Sequence, residues 1–505
     1  MAKSIMLQGT SSHVGKSILT TALCRILYQD GYRVVPFKAQ NMALNSYVTK
    51  TGEEMGRAQV AQAEAACLDP IIEMNPVLLK PTGNSSSQVV LMGKPIGNMS
   101  AKEYHQGYSL KALGIVKECL DKLMTQFDAV VIEGAGSPAE VNLKANDIVN
   151  MRVAKMISAP VLLVADIDRG GALASIVGTL ELLEPDERDL IKGLIINKFR
   201  GDLTLLAPAL DFLEQKTGKP VLGVIPHIED IGIDDEDSVS LDDKCIVSQR
   251  DIEIAVLRMP KISNFTDFDA LAGESDVTVR FVRKGELIGQ PDLVILPGSK
   301  NTTEDLLYLR ENGYEQELLD LAALGTPIIG ICGGYQMLGK EIRDPFHTES
   351  EREQISGLGL IDIITTFEAV KVTHQVTAFS QKHTFLNLNI NANNLTGYEI
   401  HMGRTDFLSP VNHAFTIKNR SGSQVCVQDG LVSHDGLIMG TYIHGIFDNN
   451  EYRRALINAL RIRKGLVPMS TFSDVQARKQ KSYDDLAATV RNNLNMKLLY
   501  QIIGV

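Results

Sequence analysis

The sequence has no apolar run long enough to cross a bilayer: stretches such as residues 160–165 fall far short of about 20 residues. Its opening, MAKSIMLQGTSSHVGKS, has no long apolar segment after the lysine. No secretory leader is therefore expected, and the reading is of a cytoplasmic protein without a membrane partner. Paired cysteines are missing as well. Cys24, Cys67, Cys119, Cys245, Cys332 and Cys426 are scattered with no CxxC pair. That spacing excludes a disulfide framework and a structural zinc site, and suits a reducing compartment. Positive charge is not in excess. A formal net charge of −11 argues against sequence-independent nucleic-acid binding, which needs a basic surface to replace counterions. A local basic pocket for an anionic small molecule remains compatible with it. Internal repeats and low-complexity tracts are absent too.

What is present is an ordinary globular composition, 44% hydrophobic and 22% charged, over 505 residues. That length is too great for one core and gives a prior of roughly two to four domains. Residues 5–7, 33–37, 129–132, 161–165, 194–197 and 221–225 read as buried strands without polar alternation. Helix-length segments such as 16–29 and 109–124 separate several of them, so a parallel sheet covered on both faces is expected. Around residues 229–243 the pattern dissolves into IEDIGIDDEDSVSLDDK, read as a linker. A second strand series follows at 252–257, 277–282, 293–296 and 328–331, with alternating stretches in 358–441 that suggest an added antiparallel section. The fold class is α/β. The expected division is 1–235 for a phosphate-loop ATP-dependent domain, 251–452 for a glutaminase-like domain and 453–505 for a helical tail.

The strand at 5–7 runs into Gly9-Thr10-Ser11-Ser12-His13-Val14-Gly15-Lys16-Ser17 and then a helix. Such a turn offers backbone N–H groups and a positive helix end to phosphate oxygens. Lys16 would reach the β- and γ-phosphates and the Ser17 hydroxyl would bind Mg²⁺. Gly9 to Gly15 encloses one residue more than the strict pattern, with Thr10 in the first glycine's place. The loop thereby resembles the variant of dethiobiotin-synthetase-like enzymes, which activate a carboxylate or carbamate with ATP. Glu133, closing a strand and followed by Gly134-Ala135-Gly136, is the candidate metal carboxylate. Asp166 and Asp168 are further candidates for metal or substrate. Arg169 is a candidate for a phosphate or a substrate carboxylate. Asn197, after another strand, resembles the asparagine that reads the adenine edge in that group.

The sharpest feature is Gly330-Ile331-Cys332-Gly333-Gly334, where a strand turns into a helix. A nucleophile elbow of this kind holds cysteine at a helix N-terminus, where the dipole favours thiolate. His444, in Gly440-Thr441-Tyr442-Ile443-His444-Gly445, is preferred as its base, with His401 the competitor. GTYIHG resembles the histidine segment of class I glutamine amidotransferases. Those enzymes place a glutamate two residues after the histidine; here that position is Ile446, so the third member is unassigned. Gly298, in Pro297-Gly298-Ser299-Lys300, and Gly333 are expected to supply oxyanion N–H groups.

Several longer strings, FKAQNMALNS (37–46), EGAGSPAE (133–140), ADIDRGG (165–171), ISNFTDF (262–268) and GYEIHMGRT (397–405), resemble the cobyric acid synthase family. The resemblance runs through nearly the whole chain. It implies ATP- and Mg²⁺-dependent amidation of the b, d, e and g carboxylates of adenosylcobyrinic acid a,c-diamide, with ammonia from L-glutamine attacking an acyl phosphate. Lys38, Gln40 and Asn41 become candidates for the substrate or phosphate side of the ATP site. Residues 75–88, with Lys80, Thr82 and Ser85 to Ser87, read equally as corrin contacts or a plain surface loop. Rival readings keep both half-reactions on another carboxylate, or make the chain a partitioning-type switch with an inactive docking domain. Retention of both Cys332 and His444 weighs against the last.

Overall fold

Strands that are apolar on both faces can only be satisfied between two layers of helices, and the chain builds two such sheets. The computed structural model describes residues 2–82, 86–229, 231–233, 250–380, 385–387 and 392–505. Most of the acidic stretch read as a linker, and Ser85 of the possible corrin-contact loop, lie outside the described residues.

The first sheet comprises β1 (Lys3–Gly9), β2 (Val34–Phe37), β3 (Ala129–Glu133), β4 (Val161–Asp166), β5 (Ile191–Phe199) and β6 (Val221–Pro226). They lie in the order β6-β5-β4-β1-β3-β2, all parallel. β1 thus sits where the strand order reverses, the place at which open α/β sheets bind ligands. Leu7 is in register with Glu133. The loop after β1, leading into α1 (Lys16–Gln29), therefore opens beside the Glu133 carboxylate.

A four-stranded sheet is inserted between β2 and β3, from Gln40–Met42, Val77–Pro81, Ser86–Leu91 and Lys94–Ser100. Within 75–88, Val77–Pro81 and the start of Ser86–Leu91 are strand. The short run Val77-Leu78-Leu79 is buried, and its hairpin partner Ser86–Leu91 pairs with it antiparallel.

The second sheet takes β7 (Ile252–Leu257), β8 (Val277–Val282), β9 (Leu293–Leu296), β10 (Ile328–Ile331), β11 (Leu431–Val432) and β12 (Ile438–Thr441). Their order is β8-β7-β9-β10-β12-β11, parallel except for the β11–β12 edge. The added antiparallel section is present as well. Ile363–Ser380 pairs with Leu395–Phe407 on one side and Phe415–Arg420 on the other.

The tail divides between the two halves. α3 (Asn450–Arg463) buries Tyr452, Leu456, Ile457 and Leu460 in the second sheet's core. α4 (Val475–Asn493) and α5 (Met496–Ile503) cross back and cover α1 with Tyr483, Leu486, Val490 and Leu499. Among the described residues no helix is long and apolar enough to cross a membrane.

Candidate active sites

Cys332 ends β10 and caps α2 (Gly333–Leu338) with φ 51° and ψ −107°, a conformation that side chains larger than glycine rarely adopt. The strain is sustained by its surroundings. Its N–H donates to Thr441 O (2.8 Å), locking the elbow to the end of β12. An added Cβ on Gly333 would lie 2.8 Å from the Ser299 backbone nitrogen, so the turn after β9 is pressed against the elbow. Gly298 lies under the histidine: a Cβ there would meet His444 Cε1 at 3.0 Å. Gly333 follows the cysteine directly, and Gly298 borders the imidazole.

His444 follows β12 and is fully buried. Its Nδ1 lies 2.7 Å from Asp267 Oδ2, and Asp267 Oδ1 accepts from Gly445 N–H (2.9 Å). The ring stacks on Tyr398, with centroids 5.2 Å apart, and its opposite edge faces the Cys332 thiol. Burial opposes charge on this imidazole. The Asp267 carboxylate, supported by Cys332, outweighs burial and pushes the pKa up to about 10. A two-residue ladder, Ile262–Ser263 against Gly298–Ser299, sets Asp267 in place by fixing the start of its 3₁₀ turn. His401 is differently placed. It stacks on Tyr442 at 3.9 Å, its Nδ1 meets Gly403 O (2.8 Å), and its Nε2 lies 3.8 Å from Glu399 Oε1, with no hydrogen bond among the described residues.

Asp267 is the residue that spacing could not find, since it lies 177 positions from His444. The available signal was the string ISNFTDF, already part of the family resemblance, with an acidic residue just after a short apolar strand.

In the first sheet, Glu133 is buried and collects three partners. Ser17 Oγ donates to its Oε1 (2.7 Å), Lys38 Nζ to the same oxygen (2.8 Å), and Gln62 Nε2 to Oε2. Lys16 Nζ is held by Ser11 O (2.9 Å) and Gly136 O (3.0 Å), folded back along its own loop. Gly15 needs its φ of 96°, and a Cβ there would fall 2.1 Å from Asn197 Nδ2. Asn197 itself donates to Val14 O (2.8 Å), so in this structure its amide props the loop. Asn41 donates to Gln59 Oε1 (3.1 Å), and Gln40 accepts from the Tyr104 hydroxyl. Arg169 is exposed in the turn after β4, away from the Glu133 cluster's hydrogen bonds. Asp166 pairs with Lys198 (2.9 Å) and Asp168 with Arg200 (3.3 Å).

Ser17 and Glu133 together offer hard oxygen ligands at one point. Buried Gln8 Oε1 and Gln62 Oε1 nearby have no hydrogen-bond partner. Among the described residues no cluster of three or more His, Cys, Asp or Glu could cage a metal. Mg²⁺ takes one or two protein oxygens and completes its shell with phosphate and water, and the Ser17–Glu133 pair supplies such oxygens. The donor set fits.

Comparison with known proteins now bears on these two centres. A model described as the CobQ/CobB/MinD/ParA nucleotide binding domain matches residues 5–240, and one described as the CobB/CobQ-like glutamine amidotransferase domain matches 253–452. Cobyric acid synthase of Pelotomaculum thermopropionicum is 54% identical over 510 residues, covering 100% of this chain and 97% of its own. The Desulforamulus reducens cobyric acid synthase is 54% identical, covering 100% and 99%, and that of Moorella thermoacetica 55%, covering 100% and 98%. The chain belongs to the cobyric acid synthase family. It is accordingly an enzyme, a carbon–nitrogen ligase with a nucleotide-binding half and a glutamine amidotransferase half, and its family's chemistry is amidation in cobalamin biosynthesis. Glutamine and a corrinoid are the substrates that such a family member takes. The P-loop α/β half and the amidotransferase-like α/β half are as the sequence led one to expect.

Proposed function

We propose that this cobyric acid synthase family member amidates the b, d, e and g carboxylates of adenosylcobyrinic acid a,c-diamide, giving adenosylcobyric acid, with ATP and glutamine. The observation that carries the reading is the pairing, in one chain, of a strained Cys332 facing a charged His444 with a Ser17–Glu133–Lys38 cluster beside a phosphate loop. The first can release ammonia; the second can activate a carboxylate.

At the glutaminase centre the Cys332 thiolate attacks the carboxamide carbon of glutamine. The backbone N–H groups at Gly298 and Gly333 receive the oxyanion, and His444 protonates the departing ammonia. Water, with His444 now taking its proton, hydrolyses the thioester to glutamate. Asp267 orients the ring and sustains its charge.

At the other centre a carboxylate oxygen of the corrinoid attacks the γ-phosphorus of ATP and ADP leaves. Ammonia then attacks the acyl carbon and inorganic phosphate departs. The chain's own residues bind and orient: Lys16 and the loop N–H groups hold phosphate oxygens, and Lys38 lies at the transferring end. Gln40, Asn41 and Arg169 are proposed on the acceptor side. Mg²⁺, held by Ser17 and Glu133, supplies charge neutralisation at the phosphates when bound. An adenine-edge role for Asn197 requires its amide to leave Val14.

The test is ATP-dependent conversion of the a,c-diamide followed by mass spectrometry, with Cys332→Ala alongside. The expected result is four successive acid-to-amide mass steps, lost in the variant with glutamine and restored by ammonium. Glutamine hydrolysis without any corrinoid mass change would remove the corrin assignment and leave the two-site synthetase.

A further inference from the structure

The pocket above Cys332 is lined by three lysines from three different segments. Lys300 comes from the turn after β9, Lys371 from the strand Ile363–Ser380, and Lys80 from the inserted strand Val77–Pro81 of the nucleotide-binding half. All three side chains are almost wholly buried. Glu54, also of the nucleotide-binding half and completely buried, pairs with Lys80 (2.7 Å) and Lys371 (2.5 Å). One carboxylate thus serves two ammonium groups. Lys300 has no salt bridge and no side-chain hydrogen bond among the described residues; the strongest opposing charge acting on it is the Glu349 carboxylate across the pocket. Glu349 accepts from the Thr302 N–H (3.1 Å) and also meets the Thr302 side chain, both at one side of the pocket.

A buried ammonium without a hydrogen-bonded counter-charge is costly, and a ligand carboxylate beside it offsets that cost. The missing partner is one anionic group, close to the cysteine thiol and adjacent to a carboxylate that can take a cation. A glutamine whose carboxamide lies on Cys332 presents both, an α-carboxylate and an α-ammonium, on the same carbon. Resting on the glutaminase reading of Cys332 above, we infer that Lys300 and Lys80 clamp the α-carboxylate of glutamine and that Glu349 receives its α-ammonium. The glutamine site is then built by both halves of the chain. Burial draws the Lys80 ammonium down to about 8 and lowers Lys300 as well, so an arriving carboxylate stabilises charges that the apo pocket disfavours.

The experiment measures glutamine binding by calorimetry on the full-length Cys332→Ala protein, which cannot turn it over. The same measurement is then made with Lys300→Met or Lys80→Met added, and with L-glutaminamide, whose α-carboxylate is replaced by a neutral amide. Each lysine change is expected to weaken glutamine binding about ten-fold or more, the size of one charge-assisted hydrogen bond. Glutaminamide binding should shift by no more than about two-fold, since it has no carboxylate for the clamp to lose. Circular dichroism spectra of the single lysine variants that superimpose on the parent's verify that the chain still folds. Because Lys300 has no salt bridge or side-chain hydrogen bond among the described residues, its variant keeps the test open even where Lys80→Met disturbs Glu54. Equal losses for both ligands, or no loss for glutamine, overturn the clamp. Glutamine hydrolysis persisting in Cys332→Ala instead overturns the cysteine reading beneath it.

Discussion

Asp267 reaches His444 from the far end of the glutaminase half, and its effect is large because both groups are buried. Asp267→Asn keeps the shape and removes the charge. Glutamine-driven turnover is expected to fall by about 10²-fold, the lower range for losing an effective acid–base partner, while ammonium-driven turnover persists. The pH behaviour separates this from general damage. The His444 pKa is raised from 6.5 to about 10, so the folded state holds a proton that the unfolded state releases between those values. That contribution to stability is complete below pH 6.5 and is lost as pH rises through about 10. In Asp267→Asn the loss should occur nearer pH 6.5, and the alkaline limb of glutaminase activity should move acidward with it. Melting curves and kcat/KM profiles across that interval measure both; parallel profiles for the two proteins would deny Asp267 its role.

The elbow is an element-scale device: β10, Cys332 and α2 work only if the helix sits directly on the sheet. Gly334 allows this, because a Cβ there would lie 2.0 Å from the Leu296 carbonyl oxygen of β9. Gly334→Ala must therefore push α2 off β9 and turn the thiol. Alkylation of Cys332 by iodoacetamide should slow, and glutamine-driven synthesis should be lost while ammonium-driven synthesis remains. This element was legible from residues alone. An apolar strand, a glycine-flanked cysteine and a helix are all local signals, as are β7 to β10, whose β-rich runs end where the structure ends them. The strand Val77–Pro81, read as possible corrin contacts or a surface loop, was not legible as part of the Cys332 pocket. Its burial depends on a hairpin partner and on Glu54, 26 residues away, and nothing in a local pattern announces Lys80 as a wall of the Cys332 pocket. Likewise Gln62, which joins Ser17 and Lys38 on Glu133, carries no motif of its own. Strand identity is written in neighbouring residues; the meeting of buried charges is written only in topology.

At the scale of the molecule the two halves are joined twice. The Glu54–Lys371 pair, Gln375 Nε2 on Val48 O, and Ser46 N–H on Asn264 Oδ1 (3.1 Å) join them beside the glutamine pocket. On the other side the chain returns after α3 and lays α4 and α5 over α1, the helix that carries Lys16 and Ser17. Arg25 of α1 fixes the contact through Asp484 (2.8 Å) and Gln480 (2.8 Å). The carboxyl-terminal segment, which follows the glutaminase half in sequence, is therefore part of the core beneath the phosphate loop. Leu486 is 2% exposed within that core. Leu486→Ala removes its buried methyl groups and leaves a cavity against α1, at an expected cost of about 2–5 kcal/mol. Denaturation should then show the nucleotide-binding half unfolding ahead of the glutaminase half, since two domains need not melt together. Ammonium-driven and glutamine-driven synthesis should decline together as it does so, in contrast to the Asp267 and Gly334 variants, which spare the ammonium reaction. Asp485, exposed and paired among the described residues with Lys481 one turn away, is the control. Asp485→Ala should change stability by less than about 0.5 kcal/mol. If Leu486→Ala lowered glutamine-driven synthesis alone, the tail would belong to the glutaminase rather than to the loop that α1 supports.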